Sequence, residues 1–193
     1  MNSFAFFFPI GVQHILDVKG IDHILFVAAL TLSQSVNTWK HLLLTITAFT
    51  IGHSITLALS TMNIANISTA WVEFLIPITI IISACINLQN LSTSNKLPFR
   101  LSYLITLFFG LIHGLGFSTL LKSMLGKQSS IVAPLLGFNL GLELGQIIIV
   151  ITILFISFIF VNVFKTKQQS LVQFVCGAIV ALSIQMALNR IPF

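Results

Sequence analysis

Charge is what this sequence has least of. Only 7% of its 193 residues are Asp, Glu, Lys or Arg, against about 25% in an average soluble domain. Four are acids. A soluble domain of this length could not solvate itself with so few charges, which excludes a soluble enzyme. Intrinsic disorder is excluded as well, because it needs low hydrophobicity and high charge. Cysteine occurs twice and tyrosine once. Cys85 and Cys176 lie inside apolar runs without a CxxC pairing, so they read as small apolar residues rather than ligands or a disulfide. The sequence has no nucleotide-binding loop, no HExxH and no evident Ser or Cys nucleophile motif. It also has no basic stripe, so no nucleic-acid partner is expected. The nine Lys and Arg residues are scattered between apolar runs, as loop charges beside lipid headgroups are.

Apolar residues fill the space that charge leaves. Hydrophobic residues make up 56% of the chain and eighteen are Phe; the mean hydropathy is +1.05. This composition specifies an integral membrane protein, all-α, forming a single domain over residues 1–193. A membrane-spanning helix needs about 20 apolar residues. Five runs meet that length: 41–62, 71–90, 101–121, 133–162 and 169–189. A sixth, 20–35, is short, since Gly20 to Ser33 would cover only about 21 Å. The expected architecture is therefore a polytopic bundle of about six spans. The stretch 4–16 before it is too short to cross and is expected at the interface or as a half-helix. Its lack of a basic n-region and of a small-residue cleavage site argues against a signal peptide. The run 133–162 exceeds the bilayer and should tilt, kink or protrude. Pro98 and Pro134 fall near helix starts, where a missing N–H costs little, and Pro77 can kink the third span. Loop cations divide as Lys40, Lys96, Arg100, Lys165 and Lys167 against Lys19, Lys122, Lys127 and Arg190. That small bias leans towards both termini lying outside.

The placement of the acids is the most informative feature. Asp17, Asp22, Glu73 and Glu143 each lie in, or at the mouth of, an apolar run, as do His14, His23, His53 and His113. Only His41 sits beside a loop lysine. A carboxylate within the membrane costs about 2.5–3.5 kcal/mol on insertion scales, so something must offset it: hydrogen bonds, a proton or a cation. Imidazole and carboxylate are the side chains that bind divalent cations; a buried structural network is the other reading.

Spacing adds detail. His14 and His23 are nine residues apart and would face opposite sides of one continuous helix, so they converge only if the chain breaks between them. Gly20 supplies that break. Thr50, His53, Thr56 and Ser60 form one polar stripe, which can also serve as helix–helix glue. Glu73 and Asn87 share a face of the third span. His113 lies between Gly110 and Gly114, a GxxxG that admits a neighbouring backbone. Asn139, Glu143 and Gln146 form one polar face of the fifth span, and Gly137, Gly141 and Gly145 form the opposite face.

Five segments carry a resemblance: GVQHILDVKGIDHILFVAAL, LLLTITAFTIGHSITLAL, WVEFLIPITIIISACINL, FFGLIHGLGFSTLL and FNLGLELGQIIIV. In this order, with GxDH, HSxTL, VE, GLxHGxGF and FNxGxExGQ, they resemble the HupE/UreJ family of hydrogenase and urease accessory membrane proteins. The resemblance runs from about residue 11 to 150. Members are bacterial and are regarded as permeases for nickel, some for cobalt or another divalent ion. The resemblance implies a cytoplasmic (inner) membrane location, Ni²⁺ or a similar ion as substrate, and metalloenzyme maturation proteins as partners besides the lipid bilayer. It also implies metal-site roles for His14, Asp22, His23, His53, Glu73, His113 and Glu143, with Asn139 and Gln146 supporting. The stretch from His14 to Gly20 is longer than the compact HxxxGxDH form.

The leading functional expectation is a permease or metal-binding transporter for Ni²⁺, Co²⁺, Zn²⁺ or Fe²⁺. The absence of a cysteine ligand argues against a soft Cu(I) site, and Glu143 or Asp22 could couple uptake to protons. Three alternatives stay open: an intramembrane zinc hydrolase, a bis-histidine haem protein, and a membrane partner of a metal-insertion complex that does not itself transport.

Overall fold

The computed structural model describes residues 3–18, 20–32, 39–65, 67–92, 97–125 and 130–192. These residues form seven helices and no strand: α1 (Ser3–Leu16), α2 (Asp22–Leu32), α3 (Trp39–Thr61), α4 (Thr69–Ser92), α5 (Phe99–Leu125), α6 (Val132–Phe158) and α7 (Gln168–Asn189). Lys19, Lys96 and Lys127, part of the charge count behind the orientation reading, lie outside the described residues, as do Ser33, Gln34 and Ser35 at the end of the short first run.

The chain is an integral membrane protein. Helices α3, α4, α5, α6 and α7 match the five long runs, and each is long and apolar enough to cross a bilayer. Their outer faces carry large exposed apolar side chains, among them Leu44, Leu104, Phe108, Ile151, Phe155 and Phe174, as a lipid-facing surface requires. The short first run becomes α2, whose 11 residues rise only about 16 Å. It cannot cross alone. Helix α6 runs on through a π-helical turn at Ile159–Val163. Its 32 residues to Val163 cover about 48 Å, and the excess emerges as a segment with Phe158, Phe160 and Phe164 exposed.

Glycine decides which helices pair. The two most extensive interhelical contacts are α3 with α5 and α1 with α6. A Cβ at Gly52 would fall on the Leu107 carbonyl, one at Gly110 on the Phe49 carbonyl, and one at Gly114 on the His53 carbonyl. In the other pair, Gly11 meets the Phe138 carbonyl, Gly137 meets Phe4 and Gly141 meets Phe8. Both contacts climb in the same sense along each chain, Phe49–Gly110 then His53–Gly114, and Phe4–Gly137 then Phe8–Gly141. Each pair is therefore parallel. Such backbone approach supplies the dispersion contacts that hold helices together where lipid removes the hydrophobic drive.

Helix α4 packs on α7, and α2 lies against both α4 and α6. The Asn87 amide of α4 donates to the Ala29 carbonyl and ties down α2. Two apolar cores result. One gathers Phe7, Ile15, Phe117, Leu121, Phe138 and Leu142. The other gathers Phe26, Phe49, Ile80, Ala84, Cys176 and Ile179. Cys85 and Cys176 are free thiols.

Candidate functional site

Four histidines meet where the two cores adjoin. His14 ends α1, His23 opens α2, and His53 and His113 lie midway along the glycine-packed pair α3 and α5. The chain leaves the helix after Leu16 and re-enters it at Asp22, with a turn in which the Gly20 N–H donates to the Asp17 carbonyl at 3.1 Å. That interruption lets two rings nine residues apart approach to 4.6 Å between centroids. His14 and His53 are 6.0 Å apart, His23 and His53 6.1 Å, and His23 and His113 5.3 Å. His53 is 0% and His113 1% exposed, so both rings lie out of reach of bulk solvent.

Phenylalanine surrounds the rings. Phe117 and Phe138, stacked on each other at 4.8 Å, both contact His14. Phe26 and Phe49 contact His113 at 5.1 Å each. Within this apolar shell, five ring nitrogens are buried with no hydrogen-bond partner: Nε2 of His14, Nε2 of His23, both nitrogens of His53, and Nδ1 of His113. A buried polar atom left unpaired costs about 1–3 kcal/mol, so this concentration is a large local expense. Among the described residues, no group of three or more His, Cys, Asp or Glu side chains is already arranged to hold a metal ion. The rings are gathered; their nitrogens do not yet converge.

One ring has a defined tautomer. The Thr79 hydroxyl donates its single proton to the Ile76 carbonyl at 2.7 Å. The 2.9 Å contact between Thr79 Oγ1 and His113 Nε2 then has the ring as donor. His113 Nδ1 is left with its lone pair, the form that ligates metals, and oriented by a partner on the far nitrogen.

Asp22 and Glu143 take partners outside the rings. Arg190 Nη1 reaches both Asp22 carboxylate oxygens, at 3.2 and 3.1 Å. Glu143 accepts from the Thr47 hydroxyl at 2.7 Å, and the Gln146 side-chain carbonyl accepts from Thr50 at 2.9 Å. These two rungs join α6 to α3. Thr50 precedes His53 by one helical turn, and Thr47 precedes it by about 9 Å of rise. Asn139 Oδ1 and Gln146 Nε2 are buried without a partner on the same face. Glu73 is exposed on α4, whereas Asn87 is buried. Fourteen residues fall about 40° short of four full turns, enough to put Asn87 within the buried stripe and Glu73 beyond its edge. The structure thus brings together His14, His23, His53 and His113, and does not bring Glu73 to them. His41 stands apart, stacked on Phe99 and bonded to the Tyr103 hydroxyl at 2.7 Å.

A cavity of about 510 Å³ opens beside the cluster, lined by Gln13, His14, Asp17, Phe117, Leu120 and Met124 among others. A water molecule's share of liquid volume is about 30 Å³, so the cavity has room for several water molecules beside His14.

The model of the family described as HupE / UreJ protein matches residues 1–190 of the chain. The chain belongs to the HupE/UreJ family. No curated relative and no solved structure matches it.

In this HupE/UreJ chain, sequence reasoning did not single out Thr79, Thr47 or Arg190 as site residues. Thr79 was visible as a lone hydroxyl in the apolar run IPITIII. Arg190 was visible as a cation directly after the last span, but nothing in the sequence shows that it returns to Asp22, 168 residues away. The phenylalanine shell had no signal at all among eighteen candidates.

Proposed function

We propose that this HupE/UreJ chain is a permease for a divalent transition-metal ion, Ni²⁺ first among the candidates and Co²⁺, Zn²⁺ or Fe²⁺ the alternatives, working in a bacterial cytoplasmic membrane. The observation that carries the reading is the set of five unpartnered ring nitrogens in one buried cluster. Neutral imidazole is the commonest protein metal ligand, and an all-nitrogen set suits these borderline ions better than Cu(I). Metal–nitrogen bonds run about 2.0–2.1 Å for Zn²⁺, so rings spaced as these are must rotate inward to share an ion. A site that closes around its cargo by ring rotation also reopens, which a transported ion needs.

In this reading the cavity at His14 is the access route, and the His14–His23–His53–His113 cluster is the binding station. Asp22, next to His23, carries a carboxylate that Arg190 offsets. The Glu143 and Gln146 rungs, with Asn139, continue the polar path along α3. Ni²⁺ delivered in this way would serve metalloenzyme maturation proteins on the receiving side. Glu73 has the weakest claim to a role.

Purified protein in nanodiscs, titrated with Ni²⁺ by calorimetry and then assayed for Ni²⁺ uptake in liposomes, tests the proposal. Saturable binding and uptake are the expected result, with binding weakened about 100-fold and uptake lost in His53→Ala and His113→Ala while the variants stay folded. No saturable binding of Ni²⁺, Co²⁺, Zn²⁺ or Fe²⁺ overturns it.

A further inference from the structure

Asp22 is the acid closest in sequence to the cluster, and it is already occupied. Arg190, the residue that follows α7, lays Nη1 across both carboxylate oxygens. Asp22 adjoins His23, whose Nε2 is buried and unpartnered. A cation that used both residues would therefore find the carboxylate capped by another positive charge.

The geometry of the pair is suited to exchange. A single nitrogen spans both oxygens, instead of the two parallel bonds of a fork-to-fork pair, which is the stronger arrangement. The two side chains differ in exposure, 29% for Arg190 and 13% for Asp22, so the guanidinium has the easier path outward. The pair also answers an energetic problem. A lone carboxylate in the bilayer is costly, and Arg190 supplies the charge that offsets Asp22 when no other cation is present. A divalent ion and the guanidinium cannot both sit close to Asp22 without strong repulsion, since like charges at contact distance oppose each other even at high effective dielectric.

We propose that Arg190 is a tethered competitor for the cation at Asp22: it holds the carboxylate while the cluster is empty and swings outward when a divalent ion binds at Asp22 and His23. This rests on the metal-permease reading above and adds its regulation. Arg190 would set a threshold, admitting an ion that brings enough charge and ligand affinity to displace it and rejecting monovalent cations. The carboxylate exchanges one counter-cation for another, and no bond or proton is left unbalanced.

The experiment uses the full chain in nanodiscs with Ni²⁺ as probe, and it has two arms. In the first, Ni²⁺ affinity is measured for the parent, Arg190→Gln, Asp22→Asn, the double variant and His53→Ala. Arg190→Gln should bind about fivefold tighter, the scale of a partly exposed ion pair. The double variant should match Asp22→Asn. A merely structural latch predicts the opposite sign. In the second arm, the parent is treated with phenylglyoxal with and without Ni²⁺, and modification of its two arginines is followed by mass spectrometry. Arg190 should react faster with Ni²⁺ bound, while Arg100 on α5 does not change. This arm needs no variant to fold. Equal or weaker binding by folded Arg190→Gln, or Arg190 reactivity that Ni²⁺ leaves unchanged or lowers, overturns the exchange. If the parent binds Ni²⁺ and His53→Ala weakens that binding about 100-fold, the permease reading stands without it. Absence of Ni²⁺ binding by the parent overturns both.

Discussion

At the centre of the bundle, four imidazoles pack ring against ring inside a shell of phenylalanines, with five nitrogens unpaired. Away from the rings, Asp22 is held by a guanidinium, Glu143 accepts from a hydroxyl and Glu73 is exposed. The two regions handle polar groups in the membrane differently for a chemical reason. A neutral imidazole has apolar faces that tolerate phenylalanine contact and carries only two polar atoms to satisfy. A carboxylate carries a full charge that no apolar wall can receive, so it is paired or left at the surface. The unpaired nitrogens in the centre cost less than a buried charge would but are still unfavourable, and that is where a cation would gain most from arriving.

The division can be attacked at several points. The greatest effect should come from the scaffold. Gly110→Leu or Gly141→Leu would drive a side chain into the Phe49 or Phe8 backbone, costing more than about 4 kcal/mol; size-exclusion chromatography should show aggregate instead of a monodisperse peak. Next comes the cluster itself. His53→Ala should weaken Ni²⁺ binding roughly 100-fold, about 2.7 kcal/mol, with the fold retained. Thr79→Val should weaken it about tenfold, because an outer partner that orients a ligating ring is worth that much. Normal affinity in Thr79→Val would show that the His113 tautomer does not matter. At the polar rungs, Glu143→Gln keeps an acceptor for Thr47. It should leave affinity within about twofold yet slow liposome uptake, since intramembrane acids mark ion paths. A loss of affinity equal to that of His53→Ala would erase the distinction between the two regions. Glu73→Gln should change thermal stability by no more than about 0.5 kcal/mol and leave Ni²⁺ binding as in the parent.

The same contrast separates what could be read in one dimension from what could not. The five long spans were legible because about twenty apolar residues in a row have few other soluble or membrane solutions. The shortness of α2 and the excess length of α6 followed from rise per residue alone. Glycine spacing at Gly110/Gly114 and Gly137/Gly141 marked faces of close approach, and the Gly20 break marked where His14 and His23 could meet. These are local properties, set by neighbours along the chain.

Which faces meet is not local. The glycine pattern does not say that α5 pairs in parallel with α3, or α6 with α1; that depends on how all the helices share the available surface. Glu73 and Asn87 illustrate the limit, because a drift of about 40° over four turns moved one of them out of the buried stripe. Arg190 illustrates it further, for it read as a loop charge and lies on Asp22. By itself the sequence determined a membrane helix bundle, its breaks, and the identity of the polar residues it could not place in water. Only the tertiary structure decided that the histidines gather in a phenylalanine shell while Asp22 and Glu143 take guanidinium and hydroxyl partners. The physical reason is that burial and pairing of polar groups are set by contacts between distant segments, and those contacts exist only once the helices have packed.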